Sequence, residues 1–359
     1  MGVMPATRLG AVLLLALLSL LCGCAAGPAV NRDPVFYPAL PDKPRLQFLT
    51  SISSLDDLTG KTGGLDDFLL GGRETDKTMG RPYAVRAVRG QIYLTDRVSN
   101  DILQIDLTKN TINPLRAGGR GALVMPSGIW ISDDGHKYIA DLKRQQVVVF
   151  DQENRFAGTV GEPGRLERPV DVAVHGDRVY ICDMKKHQVV VFDRISGSQV
   201  ATIGTPGDKE GQFNRPSHLA VDRQGNLYVN DAFNFRIQKF SPDGTFVQQF
   251  GSAGNALGNL ARPKGIVLDR DDNLYVVDAA FENVQIFNAE GKLLLFFGGF
   301  GEKPGSMYLP AGITVDYQNV AYFQKYADKN LKLRYLVYVC NMTGANKLNV
   351  YGFGDWIKE

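Results

Sequence analysis

Cysteine and histidine are scarce: four of each occur in 359 residues. No C-x-x-C-H motif is present, so the chain does not itself carry c-type haem. The formal net charge is only +2, without the clear basic excess of nucleic-acid-binding domains, which argues against nucleic acid as a partner. Disulfides are not needed either. With 44% hydrophobic and 22% charged residues the composition is globular, and a domain near this size buries about 75% of its unfolded surface.

Long apolar runs are also missing, except at the amino terminus. There Arg8 precedes an apolar stretch from Leu9 to Leu21 that is too short for a comfortable membrane span and reads as a signal peptide. The sequence Leu21-Cys22-Gly23-Cys24 resembles a bacterial lipobox, in which cleavage precedes a cysteine that follows a small residue; Gly23-Cys24 fits and Leu21-Cys22 does not. The resemblance implies a lipoprotein signal peptide over residues 1–23, with acyl chains such as palmitate on Cys24 anchoring the exported protein to a membrane. Ala25, rather than aspartate, follows Cys24, which by the usual sorting pattern implies an outer-membrane lipoprotein facing the periplasm or the surface. Residues 24–44 contain Pro28, Pro34, Pro38 and Pro41 and are expected to form a tether.

Residues 45–359 are expected to form one domain, because the sequence from Met79 onward repeats itself. Prolines 82, 126, 169, 216, 263 and 310 are separated by 44, 43, 47, 47 and 47 residues. Each opens a period-two apolar pattern such as Val172-Ala-Val174, as expected of a strand. A Tyr-x-x-Asp motif follows, ending at Asp96, Asp141, Asp183, Asp231 and Asp278, with Asn341 as the one departure. A β-branched strand comes next, and in most units a fourth strand, as in Phe246–Phe250. Turns such as Asp134-Gly135 and Asp243-Gly244 connect them. Four strands repeated six times describe an all-β, six-bladed β-propeller with blades starting near residues 80, 124, 167, 214, 261 and 308. The sixth unit stops after its third strand, and Arg45 to Ile52 is a strand without a blade. It is expected to complete the sixth blade and close the ring.

The segment from Phe213-Asn-Arg-Pro216 through Tyr228-Val-Asn-Asp231 to Asn234-Phe-Arg236 closely resembles an NHL repeat. The resemblance covers residues 80–354; it specifies the fold, while the family includes lyases, RNA-binding propellers and binding scaffolds. It implies that the loops leading into the inner strands and those after Tyr-x-x-Asp share one face, around the mouth of the central channel.

On that face the position two after each proline is expected to border the channel, and it holds Ala84, Gly128, Asp171, His218, Gly265 and Gly312. Asp171 and His218 are candidates for a proton-transfer pair or, with His187, a zinc or calcium site; the plainer reading is a hydrogen-bonded plug. His136 and His175 fall on the opposite face. The zinc histidines of the amidating lyase have no match at Tyr83, Ser127, Val170, Ser217, Lys264 and Ala311, and of the calcium cluster of lactonase-type propellers only Asp171 stands in a comparable place. The five repeat aspartates are expected to accept N–H bonds from their own loops. Arg81, Arg168, Arg215 and Arg262 precede repeat prolines and are expected to pair with those aspartates. With Lys143, Arg144, Lys185, Lys186 and Arg236 they alternatively form a ligand-binding basic rim. Cys182 and Cys340 occupy equivalent places in opposite repeats and are expected to be buried free thiols.

Two segments interrupt the pattern: 53–78, with a candidate short helix or flap at Leu65 to Gly71, and the aromatic insertion 318–335. A similar aromatic insertion in NHL-repeat lipoproteins from bacteria rich in multihaem cytochromes implies a redox-protein partner. The expected function is a non-catalytic cell-envelope scaffold that binds a protein or ligand. The alternatives are a propeller lyase or hydrolase at the channel mouth, or a binder of an anionic glycan or lipid.

Overall fold

The computed structural model describes residues 33–59, 79–162 and 164–357. Val35–Glu359 form one compact unit, a six-bladed β-propeller. The inner strands of the six blades are Pro82–Val88, Pro126–Ile131, Pro169–His175, His218–Val221, Pro263–Leu268 and Pro310–Asp316. Each successive inner strand packs on the next, and the sixth returns to the first. Blades 1 to 5 are four-stranded antiparallel sheets. In blade 4 the inner strand starts two residues after Pro216, with Ser217 N–H donating to Asn230 O just ahead of it.

The alternating patterns act as expected: every Tyr-x-x-Asp strand is buried on both faces between neighbouring blades, while fourth strands such as Phe246–Phe250 alternate half-buried and exposed. Tyr180, Tyr228, Tyr275 and Tyr338 are among the largest fully buried side chains. Cys182 and Cys340 are buried free thiols, and burial pushes both up from the usual thiol range.

Leu46–Ile52 pairs antiparallel with Leu348–Trp356, from Leu46 opposite Phe353 to Ile52 opposite Leu348. The ring is thus closed by an amino-terminal strand. Part of the stretch read as a tether is strand instead: Phe36–Tyr37 adds a fifth strand outside it, with Phe36 opposite Gln47. Proline content misled there, since two aromatic residues between Pro34 and Pro38 supply packing contacts; Phe36 packs on Trp356 and Tyr37 on Phe297.

The aromatic insertion folds against its own blade. A turn of helix at Val320–Phe323 and a 3-10 turn at Gln324–Tyr326 precede Leu331–Asn341. Phe323 is 1% exposed and meets Tyr338 edge-on, and Asp328 N–H and Tyr326 O both bond the side chain of Gln47. The insertion therefore clamps the closing strand. The Leu65 to Gly71 helix or flap lies outside the described residues.

The small residues two after the prolines mark close approach between inner strands. A Cβ on Gly312 would lie 2.6 Å from Tyr83 O, and one on Gly265 2.5 Å from Ala311 O. Both obstacles are backbone, so the blades would have to separate. Gly312→Ala is expected to destabilise the protein by about 1–3 kcal/mol, the usual range for overpacking; a urea melt with an unchanged midpoint would refute this.

Candidate functional site

The repeat motif builds the same loop in each blade. The Asp183 carboxylate accepts from the N–H groups of Glu167 and Arg168, before the inner strand, and from Lys185 and Lys186, after the motif. Asp141 and Asp278 do the same. In blade 6 the Asn341 amide oxygen accepts from Tyr308 N–H. In blades 1 to 5 these carboxylates, and in blade 6 the Asn341 amide, are the struts that hold two loops together.

The loops surround a cavity of about 200 Å³ at the channel mouth. Three repeat positions line it. The residue before the proline supplies Arg168, Arg262 and Leu309; the residue after it, Tyr83, Val170 and Lys264. The residue after the motif's last position supplies Arg97, Leu142, Met184 and Met342. No carboxylate is part of this lining. The Arg97 guanidinium lies 3.6 Å from the centroid of the Tyr83 ring and donates to Ser127 Oγ at 3.1 Å, while its buried Nε has no partner. Tyr83 stacks in turn on His218, with ring centroids 5.6 Å apart. Burial lowers the pKa of Arg97, against the pull of Tyr83 and reinforced by the charges of Arg168 and Arg81. Burial likewise lowers that of Lys264, with Arg262 and Arg97 adding to it. The mouth is a cluster of mutually repelling cations.

The position two after the proline lies beneath this cavity. Asp171 and His218 are each 4% exposed and form no side-chain bond with each other. Asp171 Oδ1 accepts from Val172 N–H and Oδ2 from Leu219 N–H, both at 2.9 Å, so the carboxylate ties blade 3 to blade 4. It fills the space left by Gly128, whose Cβ would overlap it. Burial raises its pKa to about 6, against the charge of Arg86 and the two N–H bonds. His218 Nδ1 bonds Ser217 Oγ at 3.0 Å and its Nε2 is buried without a partner. Burial, with the charges of Lys264, Arg97 and Arg86, holds its imidazole neutral. His187 is on a different loop, its Nδ1 3.1 Å from Phe213 O and 3.2 Å from Arg215 N, so that it donates to the first or accepts from the second according to its tautomer. The three proposed catalytic or metal-binding residues are therefore not brought together, and no cluster of three metal-ligating side chains occurs among the described residues.

The expected arginine–aspartate pairs are replaced by backbone bonds. Arg81, Arg168 and Arg262 reach Asp96, Asp183 and Asp278 only through their N–H groups. Among the described residues none of the guanidinium groups of Arg81, Arg168, Arg215 and Arg262 is in an ion pair. Arg215 lies over the Phe233 ring instead. Other rim candidates are occupied. Arg236 is buried against Asp231 at 2.9 Å, Lys185 pairs with Glu167 at 2.8 Å, and Arg144 and Lys186 donate to backbone carbonyls. Lys143 is exposed. Arg97 and Lys264 are central to the mouth and were not among the rim candidates. Comparing the residues that follow each repeat proline and each repeat aspartate would have singled them out as the cations in otherwise neutral columns.

The other end of the channel is a larger vestibule of about 490 Å³ with a mixed polar and apolar lining, where Arg86 lies 5.0 Å from the Trp130 ring centroid and donates to Val85 O and Ile313 O.

These features define a β-propeller with a cationic mouth above a sealed plug. A family model described as a six-bladed β-propeller matches residues 165–250. Protein wech of Drosophila melanogaster is 40% identical over 52 residues, which is 14% of this chain and 6% of that protein. The match thus spans a small fraction of the curated relative. Among solved structures, a gluconolactonase from Xanthomonas campestris is 16% identical, with a TM-score of 0.55 over 89% of this chain and 97% of that one. Virginiamycin B lyase from Staphylococcus aureus, also 16% identical, gives 0.51 over 76% and 84%. At such identities the likeness is one of fold.

Proposed function

We propose that this chain is an exported NHL-type lipoprotein, acylated on Cys24, whose propeller is a non-catalytic docking platform for an acidic partner in the cell envelope. One observation carries the docking reading: the mouth gathers Arg97, Arg168, Arg262 and Lys264 with no carboxylate in its lining. Such a field steers and retains anionic groups. The two enzymes of similar fold give the lyase or hydrolase reading its support. Against it, Asp171 spends both oxygens on backbone N–H groups, and His218 is sealed behind Tyr83. A multihaem cytochrome is one partner class that fits the anchor reading.

The test is photo-crosslinking in a bacterial host from a probe placed at Lys143, beside the mouth and exposed. The Arg168→Glu/Arg262→Glu variant is expected to reduce the crosslinked adduct at least fivefold with unchanged thermal stability; an undiminished adduct would remove the docking reading. Cys24→Ala is expected to move the protein out of the membrane fraction, and retention there would count against the anchor.

A further inference from the structure

The cations of the mouth come from every second blade of the ring. Arg97 belongs to blade 1, Arg168 leads into blade 3, and Arg262 and Lys264 lead into and open blade 5. Positive charge therefore comes from alternate blades and converges on the channel axis from three directions. Between them the lining is apolar: Leu142 comes from blade 2, and Leu309 and Met342 from blade 6. The space enclosed, about 200 Å³, is below the roughly 300–1,000 Å³ of pockets that hold drug-sized ligands.

We propose that the mouth is a binding site for a small organic polyanion: a compact carbon frame bearing two or three carboxylates, each directed at the cation of a different blade. This deepens the docking reading and rests on it, since it names the chemistry that the same mouth accepts. Charge count favours a di- or tricarboxylate over a single carboxylate, which would leave cations from at least one blade uncompensated and facing one another. Guanidinium forks match carboxylates in a bidentate manner, and Lys264 adds a compact point charge. Arg97 is held in place by the Tyr83 ring and Ser127 Oγ, so ordering it costs little on binding. The apolar side chains between the charges suit a short carbon frame. A bare inorganic anion would leave them wet, and an extended polyanion cannot enter so small a space. The ligand is either free or presented as clustered carboxylates at the end of a partner chain.

Isothermal titration at low salt would compare butyrate, succinate, tricarballylate and sulfate, together with a peptide ending in Asp-Asp and its carboxamide form. Affinity is expected to rise at least fivefold from butyrate to succinate and again to tricarballylate, and to fall steeply with added salt. Lys264→Gln and Arg262→Gln are each expected to weaken tricarballylate at least fivefold, whereas Lys292→Gln, exposed and outside the cavity lining, leaves it unchanged. The two mouth variants are independent, so one that folds poorly does not decide the matter. Tighter binding of the peptide acid than of tricarballylate would assign the site to a partner's end, and the reverse to a free ligand. Butyrate or sulfate binding as well as tricarballylate, no saturable binding at all, or indifference to both mouth variants would overturn the proposal. An adduct that depends on Arg168 and Arg262 in the absence of any such binding would overturn this inference alone and leave the docking reading standing.

Discussion

Deleting residues 33–52 is expected to leave no cooperatively folded protein at 25 °C. The deletion removes the fourth and fifth strands of blade 6, and with them the outer of the two partners of the nine-residue strand Leu348–Trp356. Leu46 and Ile52 are almost wholly buried, at 0% and 2% exposure. Each such side chain contributes about 1.5–3 kcal/mol. Phe48 packs on Tyr351 with ring centroids 5.5 Å apart, and Gln47 bonds the turn that carries Tyr326 and Asp328. The summed loss approaches the roughly 5–15 kcal/mol that holds a typical domain together. It also frees an apolar sheet edge that invites aggregation. Far-UV circular dichroism during heating is the readout. A truncated chain that melts in one transition within a few degrees of the full chain would show that the ring does not depend on this closure.

Asp171→Asn is expected to change how stability depends on pH. The folded carboxyl titrates near 6 against an ordinary value of 3.8, because it is buried. Between these values the folded state holds a proton that the unfolded state has released, so stability falls as pH rises from about 4 to 6. Above that window the full penalty remains. A shift of this size corresponds to about 3 kcal/mol. Asparagine carries no such titration. Its amide cannot accept both the Val172 and Leu219 N–H bonds, which lowers stability by a roughly constant amount. The stability of the variant relative to the native chain should therefore improve by about 2 kcal/mol between pH 4 and pH 7. Urea melts across that range would measure it, and parallel curves for the two proteins would show that Asp171 is not raised.

The two experiments test features that were unequally legible in the sequence. The closing strand could be read because it has the strand pattern and lacks a blade, while the sixth unit lacks a strand. The struts could be read because Asp96, Asp141, Asp183, Asp231 and Asp278 recur at one position, and a symmetric requirement leaves a symmetric trace. The aromatic insertion could not. Its composition fits an exposed partner surface as well as a clamp, and only the burial of Phe323 and the bonds of Gln47 decide for the clamp. Phe36 and Tyr37 were hidden by the prolines around them.

The amino-acid sequence by itself determined the number of blades, their strand order, the closure of the ring and the residues that brace each loop. All of these follow from local periodicity repeated along the chain. Which repeat positions face the channel mouth was decided only by the tertiary structure. The inner strands approach so closely that the position two after the proline is pressed between blades, leaving Asp171 and His218 as buried plugs. The positions on either side of the proline, and the one after the aspartate, are left to line the cavity. Arg97, Arg168, Arg262 and Lys264 are far apart in the chain and ordinary in composition; they become one site because the ring brings alternate blades to a common axis.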